Sequence, residues 1–293
     1  MRIALTGASG FIGSHILTAL QSRGYEVLAL VKDDEHAKTV AAKGVEAAVV
    51  DLFDAAAVAR ALSDTDGAIH TASPGDATSA RLDAAVAAGA IKAFDGTGKP
   101  YLHISGIWIY GDNTSISEDS SMNPPALVAW KAPIESRIVE AAGMRGVVIV
   151  SSVAYGDGDG ALPGLLLGSP RDAAGNLIMP GGGQQHWSTV HVADLADFFL
   201  HALEDKTARG YYVVGDGVNS TVAEITAAAA EAAGAPGAVP GSADELRARV
   251  GDYFADVLLL DQATRAVKAR ELGWRPSRAS LVDDLRSGSY RRA

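Results

Sequence analysis

The stretch Thr6–Gly13, "TGASGFIG", decides the fold. It follows the apolar run Ile3–Leu5 and leads into the helical pattern Phe11–Arg23. Gly7 permits a tight turn, Gly10 lets the backbone approach a pyrophosphate, and Gly13 lets the helix pack closely on the strand. The helix N-terminus behind them offers free N–H groups and positive potential to an anion. The spacing is G-x-x-G-x-x-G rather than the G-x-G-x-x-G of the dinucleotide fingerprint, so its position between first strand and first helix carries the specificity. Thr6, Gly7, Ser9, Gly10, Phe11, Ile12 and Gly13 are the expected cofactor turn.

Working outward, short apolar runs alternate with helical patterns. Strands are expected at Ile3–Thr6, Glu26–Val31, Val45–Val50, Ala68–His70, Tyr101–Ser105 and Val147–Ser151. The helices expected between them are Asp34–Lys43, Ala55–Ser63 and Ser79–Phe94. Strand–helix alternation with short connections predicts an α/β fold: a doubly wound, mostly parallel Rossmann sheet that binds ligands beyond its strand C-termini. After Tyr155 the texture changes to glycine- and proline-rich loop, and a strand and helix return near Ser188–Glu204. The expected organisation is a cofactor domain over residues 1–155, rejoined by 187–215. Residues 156–186 and 216–293 would form a smaller, loop-rich substrate lobe.

Composition narrows the class. The chain has 293 residues, enough for one large α/β domain or two smaller ones. It is 48% hydrophobic but only 6% aromatic, so its core rests on Ala, Val and Leu. A formal net charge of −10 argues against nucleic acid or an anionic membrane as partner. With no cysteine, disulfides and thiolate zinc sites are excluded. His/Asp spacing shows no metal cluster, and no G-x-S-x-G elbow occurs. No stretch approaches the roughly 20 apolar residues of a membrane span, so a cytoplasmic protein is expected.

The second strand, "EVLALVKDD", selects the nucleotide. An acidic residue at its end would bind a ribose 2′-hydroxyl and favour NAD. Here Lys32 ends it, suited to a 2′-phosphate and hence NADP, while Asp33 leaves NAD open. Asp51 and Leu52 end the third strand, where they meet the adenine edge; the alternative for Asp51 is a helix cap.

The whole chain resembles the extended and atypical short-chain dehydrogenase/reductases, the epimerase/dehydratase group. TGASGFIG, VKDD, VVDLFD, IHTASP (Ile69–Pro74), HISGIWIYGD (His103–Asp112), NPP…WKAPIE, SSVAYGDG (Ser151–Gly158), WSTVHVADLADFFLHALE (Trp187–Glu204) and LGWRPS (Leu272–Ser277) carry the resemblance. It implies that Thr71, Ala72 and Ser73 border the cofactor. It also implies chemistry by Ser/Thr, Tyr and Lys, the last two as Y-x-x-x-K. There the Lys holds the nicotinamide ribose and lowers the Tyr pKa. Lys131, with Glu135 four residues on, matches the lysine. The residue four before it is Leu127, however, and the Ser/Thr position, four before Tyr110, is Gly106. Y-x-x-x-K occurs nowhere in the chain.

Lys131 is therefore expected to clamp the ribose. Ser105 is the candidate for a substrate carbonyl, or else ties down the end of its strand. Tyr155 is the first candidate for a replacement acid, and His186 in the lid region the second. His191, His70 and His103 are expected to be structural. The leading expectation is an NADP(H)-dependent oxidoreductase acting on a small carbonyl-, imine- or enone-bearing metabolite. A nucleotide-sugar epimerase or dehydratase and a non-catalytic NADP-binding sensor are the alternatives. The resemblance further implies a homodimer through Ser79–Phe94 and Lys131–Ala142.

Overall fold

A computed structural model describes residues 1–291 of the chain. Its centre is a seven-stranded sheet. The first five strands are β1 (Arg2–Thr6), β2 (Glu26–Val31), β3 (Glu46–Val49), β4 (Gly67–His70) and β5 (Pro100–Gly106). Strands Arg145–Ser151 and Gly210–Val214 complete it. The order is β3-β2-β1-β4-β5, then Arg145–Ser151, then Gly210–Val214, and every pairing is parallel. Leu5 pairs with both Ala29 of β2 and Ile69 of β4, so the order reverses around β1. A doubly wound sheet binds ligands at such a switch point.

Both faces are covered, which is why Arg145–Ser151 is buried at every residue and its centre, Val147–Val150, reads as one apolar run. On one face α1 (Phe11–Ser22) packs beside the helix Val192–Glu204, sharing a core of Ile16, Leu17, Leu20, Phe198, Phe199 and Trp274. α2 (Asp34–Ala41) joins this face through Val40 and Ala37. On the other lie α3 (Ala55–Leu62), α4 (Ser79–Phe94) and α5 (Lys131–Glu140). Val58, Leu62, Leu82, Val86, Ala90, Phe94, Ile134 and Ile138 form their core. Local chemistry sets several starts: Asp54 accepts from Ala56 N and Ala57 N at α3, and Thr221 with Glu224 forms a capping box at Val222–Ala232.

The expected strand at Ser188–His191 forms as Thr189–His191, but pairs with Val153–Tyr155 in a separate parallel ribbon rather than in the main sheet. A third core joins Tyr155, Leu162, Leu166, Trp187, Ile225, Leu258 and Leu285, gathering the loop-rich segment and the C-terminal helices. Among the described residues no helix is long and apolar enough to cross a membrane.

Candidate functional site

At the C-terminal ends of β1, β2, β3 and β4 lies a cavity of about 930 Å³, within the usual size of ligand pockets. Gly7, Ser9, Gly10, Phe11, Ile12 and Gly13 line one side, Lys32, Asp51 and Leu52 another, and Thr71, Ala72 and Ser73 a third. Thr6 is buried beneath it. The turn requires its glycines. Gly7 has φ +75°, and a Cβ on Gly13 would stand 2.0 Å from the Gly7 carbonyl oxygen. Only the missing side chain lets α1 approach β1 so closely. Gly10 caps α1 without a side-chain bond, and among the described residues no acceptor meets the Phe11, Ile12 and Gly13 N–H groups. Those donors fit the pyrophosphate of a dinucleotide.

At the end of β2 the two acids are not equivalent to the lysine. Asp33 caps α2, accepting from His36 N at 2.9 Å and pairing with His36 Nδ1 at 2.6 Å. The His36 backbone N–H, more than any other group, holds its carboxyl below the usual range. Lys32 and His36 line the cavity.

Behind the cavity is a buried cluster centred on Asp83 of α4, which is 3% exposed. Lys131 Nζ lies 3.1 Å from Asp83 Oδ2, His70 Nε2 3.2 Å from Oδ1, and His103 Nε2 3.5 Å from Oδ2. Thr6 Oγ1, 2.7 Å from His70 Nδ1, also accepts from Thr71 N and Ala72 N. Its one proton therefore goes to Nδ1, and His70 carries its own on Nε2, aimed at Asp83. Tyr101 OH stands 3.0 Å from His103 Nδ1. Burial works to raise the Asp83 pKa, but the two histidine donors and the Lys131 charge hold it well below the carboxylate range. Burial, the largest influence, pushes His103 down to about 4, so it is neutral at ordinary pH.

Lys131 is the first residue of α5 and does not itself line the cavity. It joins the site through Asp83, whose neighbour Leu82 is a wall residue. Position 127 sits in a turn outside the helix. Leu127 is half-buried against the core of that face, and its carbonyl accepts from Trp130 Nε1 at 3.0 Å. Space at Gly106 is open, with no atom within 4 Å of a built Cβ.

Three expected catalytic groups are placed elsewhere. Tyr155 is fully buried and donates to the Ala279 carbonyl at 2.6 Å, with its ring edge-on to His191. Burial raises its pKa further, and it does not line the cavity. Ser105 is 4% exposed and shares the inward face of β5 with Tyr101 and His103, because strand side chains alternate. Its hydroxyl influences the Glu135 carboxyl, yet neither side chain meets hydrogen-bond geometry with any partner. Ser105 does not line the cavity. His186 is bound to Asp261, with Nδ1 and its backbone N each 2.8 Å from Oδ1, and does not line the cavity.

His191 caps the helix Val192–Glu204 by accepting from Ala193 N. Sequence reasoning missed Asp83. The signal was an acid on the buried stripe of α4, in register with Val86, Ala87 and Ala90.

The match to known proteins covers the same ground. An uncharacterized protein of Schizosaccharomyces pombe is 28% identical over 99% of this chain and all of its own length. A Streptomyces 3-diazoavenalumate denitrifying reductase is 27% identical over 97% of this chain and 99% of its own. Among solved structures, human epimerase family protein SDR39U1 with NADPH superposes with TM-score 0.75 at 22% identity, covering 99% of both chains. Thermus thermophilus UDP-glucose 4-epimerase in complex with NAD does so with TM-score 0.74 at 25% identity, covering 98% of this chain and 99% of its own. The model of the NAD dependent epimerase/dehydratase family matches residues 3–215, and the chain belongs to that family.

Proposed function

We propose that this chain is an NADP(H)-dependent oxidoreductase that moves a hydride to or from a small acceptor needing no proton from the protein at the moment of transfer. The observation that carries this reading is the pairing of a complete cofactor cradle with a site lacking its phenol. The cradle is the glycine turn with its free N–H groups, and Leu127 stands where the phenol would be.

A bound nicotinamide dinucleotide supplies or accepts the hydride. The chain's own residues bind and orient it. Phe11, Ile12 and Gly13 N–H groups meet the pyrophosphate, Asp51 and Leu52 border the adenine end, and Lys131 holds the nicotinamide ribose. Lys32 and His36 present donors to a 2′-phosphate, while Asp33, the acid that would serve a 2′-hydroxyl, is committed to capping α2. NADP(H) is therefore preferred to NAD(H).

The acceptor follows from what the site lacks. A neutral carbonyl becomes an alkoxide on hydride addition and needs an acid. An iminium carries its positive charge beforehand, and a conjugated alkene is protonated later at another atom. Tyr155 and Ser105 do not line the cavity, and the Lys131 charge is balanced by Asp83. Support also comes from the Streptomyces relative, named as a reductase of a diazo compound. An epimerase or dehydratase cycle, which needs the phenol at the sugar hydroxyl, fits these residues less well.

The test is a titration with NADPH and NADH followed by turnover against iminium, enone and carbonyl panels. Tighter NADPH binding with oxidation by iminium or enone is expected. Tight binding with no turnover on any panel would overturn the enzymatic reading in favour of a nucleotide sensor.

A further inference from the structure

A buried carboxylate that receives two N–H donors, with His103 Nε2 a further 3.5 Å away, is a clamp or a stage in a proton path, and the ends of its branches decide which. One branch runs from Asp83 through His70 to Thr6, and Thr6 is 4% exposed. Another runs through His103 to Tyr101, and both are fully buried. Neither reaches solvent, so protons have no outlet on those sides.

The third branch is Lys131, whose side chain retains 17% exposure, against 4% or less for Asp83, His70 and His103. An ammonium has three donors. One meets Asp83, and the Trp130 ring stands 4.5 Å from the nitrogen. Two donors remain for a cofactor, and a nicotinamide ribose offers two hydroxyls.

The clamp is also tied to the far end of the cleft. Thr6 Oγ1 holds His70 while accepting from the N–H groups of Thr71 and Ala72, both cavity-wall residues. The carboxylate that fixes Lys131 is thus registered against β1 and β4, which carry the pyrophosphate turn.

We propose that Asp83, held by His70 with His103 packed beside it, is the positioning residue that fixes the Lys131 ammonium for the nicotinamide ribose. This rests on the reading of the cavity as an NADP(H) site. Asp83 touches neither cofactor nor substrate, and acts only through Lys131. Without it the ammonium is free to swing on its four-carbon stem, and the ribose loses a pre-oriented partner.

A double-mutant cycle in the full chain tests this, with Kd for NADPH from fluorescence and KM for NADPH and acceptor from turnover. Asp83→Asn is expected to weaken NADPH binding about 5- to 10-fold with the acceptor KM unchanged, and the Asp83→Asn/Lys131→Met pair to bind no more weakly than Lys131→Met alone. Should Asp83→Asn fail to fold, His103→Gln replaces it: a weakening of about 2- to 5-fold with Lys131 present, and none in the Lys131→Met background. An equal loss with and without Lys131, or no loss in either background, overturns the proposal. A wild-type chain that binds neither NADPH nor NADH overturns the underlying reading and the proposal together, so the two failures are distinguishable.

Discussion

Lys131 and Asp83 are 48 residues apart in sequence, yet the ammonium of one lies 3.1 Å from the buried carboxylate of the other. The pairing changes what a phenol would experience here. In the Y-x-x-x-K arrangement, an unbalanced lysine charge lowers the phenol's pKa. In this chain Asp83 balances that charge. Leu127→Tyr should therefore not create efficient carbonyl reduction by itself. Any reductive activity gained should fall only as pH rises through the ordinary phenol range of about 10, because the protonated phenol is the donor, as read from a pH–rate profile.

The glycine turn gives a sharper geometric prediction. A methyl group at Gly13 would meet the Gly7 carbonyl oxygen at 2.0 Å, so Gly13→Ala must push α1 off β1. The expected result is loss of NADPH binding by at least about 10-fold, with about 1–3 kcal/mol of destabilisation from overpacking. Fluorescence titration and denaturant unfolding report the two effects separately.

Lys32 tests nucleotide choice. Lys32→Ala should weaken NADPH by about 10- to 100-fold, the loss of one charge-assisted contact of roughly 1.5–3 kcal/mol. NADH should change less than about 2-fold, since it has no phosphate there. Equal effects on both nucleotides in the same titration would remove the argument for NADP(H).

How much of this was legible beforehand follows the physics of each feature. The glycine turn, β1 to β5 and the helices between them are local patterns of apolar period and backbone freedom, and they stand where the pattern places them. Asp83, His70 and His103 were harder to combine. They come from α4, β4 and β5, and meet only because the parallel register sets His70 beside His103 with α4 packed above. Tyr155 misled because its position after a sheet strand suggested the cleft. The short ribbon with Thr189–His191 instead turns it into the third core, where Ala279 accepts its proton.

That placement makes Tyr155 a useful control. Tyr155→Phe removes one buried hydrogen bond and leaves the Ala279 carbonyl unpaired, which costs about 1–3 kcal/mol of stability. Turnover with any accepted substrate should stay within about 2-fold of wild type. Thermal melting and initial rates on the same preparation check both halves.

His103 predicts a pH dependence of stability. Its pKa falls from an unfolded value near 6.5 to about 4 in the folded protein. Between those values the unfolded chain binds more protons, so the stabilisation is complete above pH about 6.5 and is lost as pH falls toward about 4. The full difference is roughly 3 kcal/mol for this fully buried group. Asp83, whose folded pKa is depressed, adds stability above its unfolded value near 4 that is lost on further acidification. Urea unfolding of wild type and His103→Gln across this window should show a flatter slope for the variant.

Hydride transfer without an acid from the protein is read out by NADPH deuterated at the transferring carbon. With an iminium or conjugated acceptor, deuterium is expected on carbon in the product, at a saturating rate that varies less than about 3-fold between about pH 6 and pH 9. Bound NADPH that transfers no deuterium to any acceptor would contradict it. So would a rate falling tenfold per pH unit above a single pKa in that range, which would show that the protein supplies the proton after all.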